Sequence, residues 1–187
     1  MRRKGFTLVE LLIVIVVIGV LSTMMMLSST EAVSSAKATT IISDLRNIKT
    51  AVLAWYTDNL NRVVFKDDCS IYDTAMQNKI PIYNFFDHNG TAKGYEEVEK
   101  YLSNGTAINF KRWSNGDNRS SYCIERGDRA GNVWLVGYVL SDSEKKSLSG
   151  KLANKAQSVG LYQGKPYDQV TSYYTDGIAV WMKVPMN

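Results

Sequence analysis

The chain has 187 residues but only one histidine, two cysteines and three prolines. A lone His88 excludes a zinc site built on two histidines. The two cysteines, Cys69 and Cys123, are too far apart in sequence to form a Cys-x-x-Cys motif. Neither a Gly-x-Ser-x-Gly elbow nor a phosphate-binding loop is present. No catalytic residue, metal or cofactor is therefore assigned, and an enzyme is not expected. Internal repeats and low-complexity tracts are also missing. With 45% hydrophobic and 21% charged residues, the composition excludes a disordered chain.

Charge is scarce at one end. From Phe6 to Leu27 the only charged residue is Glu10, in FTLVELLIVIVVIGVLSTMMML. About 20 apolar residues are enough to cross the hydrocarbon of a bilayer as a helix. Arg2, Arg3 and Lys4 precede this segment and mark its cytoplasmic side, which puts the remainder of the chain outside. The formal charge of +4 is largely theirs. Without residues 1–5 the balance is 19 Lys+Arg to 18 Asp+Glu, or +1, which gives little support to nucleic-acid binding.

A secretory signal would explain the basic start and the apolar run, with AVSSA at 32–36 as a weak cleavage site. The apolar run is long for that purpose, however, and a carboxylate sits near its start. An uncleaved anchor has no use for Glu10 either, because a charge at the centre of a spanning helix costs on the order of 3 kcal/mol. The constellation KGFTLVE accounts for all of these features. It resembles the processing site of type IV prepilins and of the pseudopilins of type II secretion. The resemblance is specific over residues 3–21 and covers little beyond the first helix.

The resemblance implies cleavage between Gly5 and Phe6 by a prepilin peptidase, with Phe6 N-methylated as the new first residue. Residues 1–5 become a leader, 6–27 a transmembrane and filament-core helix, 28–60 its amphipathic continuation, and 61–187 an extracytoplasmic head. Glu10 takes the position where the family carries an assembly carboxylate. One helical turn from the new ammonium, it favours the helix N-terminus and can pair with the ammonium of a neighbouring subunit in an apolar setting. The implied partners are prepilin peptidase, other pilin subunits and an inner-membrane assembly platform. The implied location is the cytoplasmic (inner) membrane as a single-pass protein, then a filament outside it. The chain departs from many major pilins at Leu27, where they carry a helix-breaking proline; no proline occurs before Pro81. A minor, priming subunit therefore stays open, as do a pseudopilin of a type II secretion system and a minor pilin that binds DNA or a surface.

Past the apolar run, Ile41, Leu45, Ile48, Val52 and Trp55 recur in steps of four and three, the stripe of one helix face. A helix from Phe6 to about Leu60 would be roughly 80 Å long. Residues 61–118 read as connecting structure, with a short helix in 94–105 that turns Tyr95, Val98 and Leu102 inward. SSYCIE (120–125) and NVWLVGYVL (132–140) form an expected hairpin across RGDRAG. SDSE at 141–144 is a capping box, opening a helix with Leu148, Leu152, Ala156 and Val159 on one side and an end near Gly160. QVTSYY (169–174) and IAVWMKV (178–184) are expected to form a second hairpin across Thr175-Asp176-Gly177. The predicted fold is α+β, pilin-like, with a long N-terminal helix packed on a C-terminal antiparallel sheet.

If the head is outside the cytoplasm, a Cys69–Cys123 disulfide is the natural expectation. Closing so long a loop is worth roughly 4 kcal/mol in the chain-entropy model, and two buried thiols are the alternative. Arg126-Gly127-Asp128 spells an adhesion tripeptide but sits where a turn is needed. Asp67, Asp68 and Asp117 lack calcium-ligand spacing.

Overall fold

The computed structural model describes residues 6–59, 63–65, 71–73, 98–102, 108, 110–111, 120–127, 133–166 and 170–185. Helix α1 runs over Leu8–Asn59, 52 residues or about 78 Å at 1.5 Å per residue. In the Ser/Thr-rich middle the hydroxyls return to the helix's own carbonyls, so they are satisfied without interrupting the helix. Ser34 donates to Thr30 O at 2.9 Å and Thr39 to Ser35 O at 3.0 Å. The predicted stripe is the packed face. Ile41, Leu45, Ile48, Val52 and Trp55 are all buried, joined by Ala38, Ile42 and Ala51.

Strands β3 (Ser121–Arg126), β4 (Val133–Val139) and β5 (Ala179–Pro185) make an antiparallel sheet in the order β3-β4-β5. Ser121 faces Val139 in the first pair, and Val139 faces Ala179 in the second. Helix α2 (Asp142–Val159) follows β4. One face of the sheet, carrying Ile124, Trp134, Val136, Tyr138, Val180, Met182 and Val184, shares a core with α1 and α2. Cys123, Leu135, Val139, Ala179 and Trp181 lie in a second buried cluster with Val170. The continuous apolar run of β4 follows: a central strand covered on both faces has no polar side to alternate with. Gly137 is required there. A Cβ on it would come within 2.3 Å of the Trp181 ring on the paired strand.

Several expectations hold. The β3–β4 hairpin pairs as read, and the capping box at Ser141–Glu144 is present. Leu148, Leu152 and Ala156 are buried along α2, Val159 packs at the core margin, and Gly160 closes the helix with a left-handed φ of 73°. In the expected short helix, Val98 is buried and Leu102 packs against the core; Tyr95 lies outside the described residues.

Two expectations are corrected. Residues 170–174 do not pair with β5 as a second hairpin. The outer edge of β5 is taken by Tyr162, whose amide donates to Trp181 O at 2.8 Å while the Trp181 amide donates to Tyr162 O at 2.9 Å. Residues 172–174 bond instead to 161–163, through Gln163 N–H to Ser172 O and Tyr174 N–H to Leu161 O. The Asp176-Gly177 turn survives, held by Gln163 Oε1, which accepts from the Thr175 and Asp176 amides. The second correction is within 61–118, read as connecting structure: β1 (Val63–Phe65) and β2 (Ile71–Asp73) form a two-stranded antiparallel ribbon there.

Candidate functional site

The first turn of α1 has a local design. Thr7 is followed three residues later by Glu10, the spacing of a capping box. The Thr7 amide and the Thr7 hydroxyl each donate to Glu10 Oε2 at 2.8 Å. In return the Glu10 amide donates to Thr7 Oγ1 at 3.3 Å, and Leu11 N–H reaches Thr7 O at 3.2 Å. Two amides that a helix start would otherwise leave without partners are thereby satisfied. Both side-chain contacts fall on Oε2, so Oε1 has no partner among the described residues.

Around this carboxylate the surface is apolar. Phe6 is 84% exposed, and the large apolar side chains from Leu8 to Met26 are all exposed, with none packed on the head. By length and composition the span is apolar enough to cross a membrane, and its apolar stretch is not buried. An open carboxylate oxygen on such a surface is able to pair with a cation once water is excluded.

The second half of α1 is tied to the head by polar contacts that converge on a buried carboxylate. Glu144 Oε1 pairs with Lys37 Nζ of α1 at 2.5 Å and accepts the Tyr138 hydroxyl of β4 at 2.8 Å. Glu144 Oε2 accepts the Ser141 amide at 3.0 Å and the Ser120 hydroxyl. Burial alone would raise the Glu144 pKa; Lys37, Ser120, Ser141 and Tyr138 outweigh it and hold the carboxyl down at about 2. Tyr138 is pushed up to about 12, first by burial. Further along, the Tyr122 hydroxyl donates to Asp44 of α1, and burial with that carboxylate raises the phenol well above its ordinary range. Lys155 Nζ to Thr39 Oγ1 (3.0 Å), Tyr101 to Asp58 (2.8 Å) and Lys151 to Glu31 (4.0 Å) extend the seam.

Of the residues singled out in the sequence, Phe6 and Glu10 lie together at the free end of α1, and Cys123 is buried in β3. Gly5, with the cleavage junction, and Cys69, with the expected Cys69–Cys123 pairing, lie outside the described residues. His88, Asp67, Asp68 and Asp117 lie outside them too. Among the described residues no group of three or more His, Cys, Asp or Glu comes together to hold a metal ion. The reading missed the Thr7–Glu10 box although its four-residue pattern was visible. It also missed Lys37 and Asp44 as ties to the head, for which no local pattern exists.

No curated protein and no solved structure matches the chain. One family model does, over residues 1–26: the prokaryotic N-terminal methylation motif. The start of the chain, its one carboxylate and the uncovered apolar helix behind it thus carry the signature of type IV pilins and pseudopilins, and support a type IV pilin-like or pseudopilin protein.

Proposed function

We propose that the chain is the precursor of a structural subunit, major or minor, of a type IV pilus or pilus-like filament. The observation that carries this reading is the split character of α1. Its second half is consumed by the head, while its first half is apolar and uncovered behind a matched methylation motif. Such a surface requires a lipid or protein environment. A prepilin peptidase removes residues 1–5 by cutting between Gly5 and Phe6, and Phe6 becomes the methylated first residue. The subunit waits in the cytoplasmic (inner) membrane, crossing it once with its head outside. It then joins other pilin subunits through an inner-membrane assembly platform.

In this reading Glu10 serves assembly. Its Oε2 is occupied by Thr7 and its Oε1 is open, so the carboxylate can keep its cap while it meets the Phe6 ammonium of a neighbouring subunit. Co-expression with a prepilin peptidase and intact-mass measurement test the proposal. A chain starting at methylated Phe6 is expected; cleavage near residue 36 would instead identify a secretory signal and overturn the reading.

A further inference from the structure

Three methionines stand in a row at the outer end of the apolar span. Met24, Met25 and Met26 are 64%, 78% and 74% exposed. The span from Phe6 to Leu27 holds no other methionine and is otherwise dominated by branched aliphatic residues. Successive residues step about 100° around a helix, so the three thioethers point to three different sides. However the helix is turned, one of them faces away from any single neighbour. All three are exposed, and among the described residues the earliest ion pair between head and α1 lies beyond them, Lys151 to Glu31 at 4.0 Å.

Position along the helix sets the chemistry. Met25 lies about 28 Å from Phe6 at 1.5 Å per residue, against a hydrocarbon thickness of about 30 Å. With Phe6 at the cytoplasmic boundary, the thioethers reach the opposite boundary, where water and dissolved oxidants meet the membrane. A thioether that no protein covers is open to an oxidant wherever water reaches it, and oxidation turns it into a polar sulfoxide. We propose that Met24–Met26 is an oxidation site of the membrane-stage subunit, and that its conversion to methionine sulfoxide by peroxide excludes the subunit from filaments. In each event the O–O bond of hydrogen peroxide breaks and an S–O bond forms. The sulfur is oxidised by two electrons, and the peroxide is reduced to water.

The consequence rests on the filament reading above. At the membrane boundary a sulfoxide oxygen stays hydrated. Inside a packed bundle of apolar helices it loses that water, and the thioether's adaptable apolar surface is replaced by a polar, chiral group. Oxidation therefore leaves anchoring intact and penalises the move into the filament.

The test uses the full, processed chain in membranes of cells in which assembly has not been induced. After brief hydrogen peroxide treatment and quenching, peptide mass spectrometry follows sulfoxide at Met24–Met26 and at Met182, which is 4% exposed. At least about tenfold faster oxidation of Met24–Met26 is expected, since an oxidant at the membrane boundary meets them directly while Met182 is packed in the core; equal rates overturn the site. Assembly is then induced, and the sulfoxide content of subunits in filaments is compared with that of subunits left in the membrane. A several-fold depletion in filaments is expected, and equal content overturns the exclusion. A subunit that never enters filaments, treated or untreated, refutes both the exclusion and the filament reading, while the oxidation rates still decide the site on their own.

Discussion

Residues 8–26 and 38–55 belong to one helix and differ in almost everything else. The earlier stretch is apolar on every side and packs on nothing among the described residues of the head; the later one carries a single apolar stripe, and the head takes it. A one-sided stripe is what a helix needs to pack on a sheet and remain soluble on its other faces. An apolar surface on all sides has no such solution within one chain of this size, so it points to lipid or to further subunits. The comparison separates what folds the monomer from what the monomer is for. Substitutions in the two halves should accordingly act on different observables.

The largest effect on head stability is expected in the second half. Leu45→Ala or Ile48→Ala removes a side chain with no exposed surface and should cost about 2–5 kcal/mol. Denaturant unfolding of the full chain in detergent, followed through the tryptophans, measures it. Loss of less than 0.5 kcal/mol, on the order of a surface substitution, would mean that the head does not depend on α1.

Gly137→Val should come next. The added Cβ would meet Trp181, and overpacking of this kind costs about 1–3 kcal/mol. A shifted tryptophan emission with reduced stability is expected; an unchanged spectrum would deny the close approach.

Acid should then loosen the seam that holds α1 to the head. Glu144 is depressed from 4.5 to about 2 in the folded protein. A depressed carboxylate contributes its stabilisation fully above the unfolded value and loses it as pH falls through the folded one. The window therefore lies between pH 4.5 and 2, and the loss is about 2 kcal/mol after allowing for screening at half-exposed Lys37. Glu144→Gln should flatten this part of the stability profile; an unchanged profile would remove Glu144 as its source.

The smallest effect belongs to the first half. Ile15→Ala should change head unfolding by less than about 0.5 kcal/mol, as at any site that packs against nothing in the head. A larger change would show that the two halves are not independent.

Where periodicity or local turn chemistry decides the outcome, the sequence was readable. The stripe from Ile41 to Trp55, the β3–β4 hairpin, the Ser141–Glu144 cap and the Gly160 stop all rest on spacings within one element. The failures are long-range. Tyr122 meets Asp44 across 78 positions, and only the folded sheet makes them neighbours. The expected pairing of 169–174 with β5 failed because Tyr162, which lies in neither run, occupies that edge instead. Glu144 was legible as a cap and illegible as a junction, since its partners Lys37, Ser120 and Tyr138 come from elsewhere in the chain. At the candidate site, Phe6 and Glu10 were singled out from a contiguous motif, and the family model matches the stretch that holds them, residues 1–26.

The most direct measurement is the incorporation of Glu10→Gln into filaments, counted against the wild-type subunit in the same cells. Glutamine at this position can still accept from the Thr7 amide, so the cap is retained and only the charge is lost. The variant should insert, be processed to start at Phe6 and unfold like wild type, yet enter filaments several-fold less often, because a neighbour's ammonium would be left unpaired in an apolar core. Incorporation equal to wild type would contradict the claim that the open end of α1 assembles through its one carboxylate.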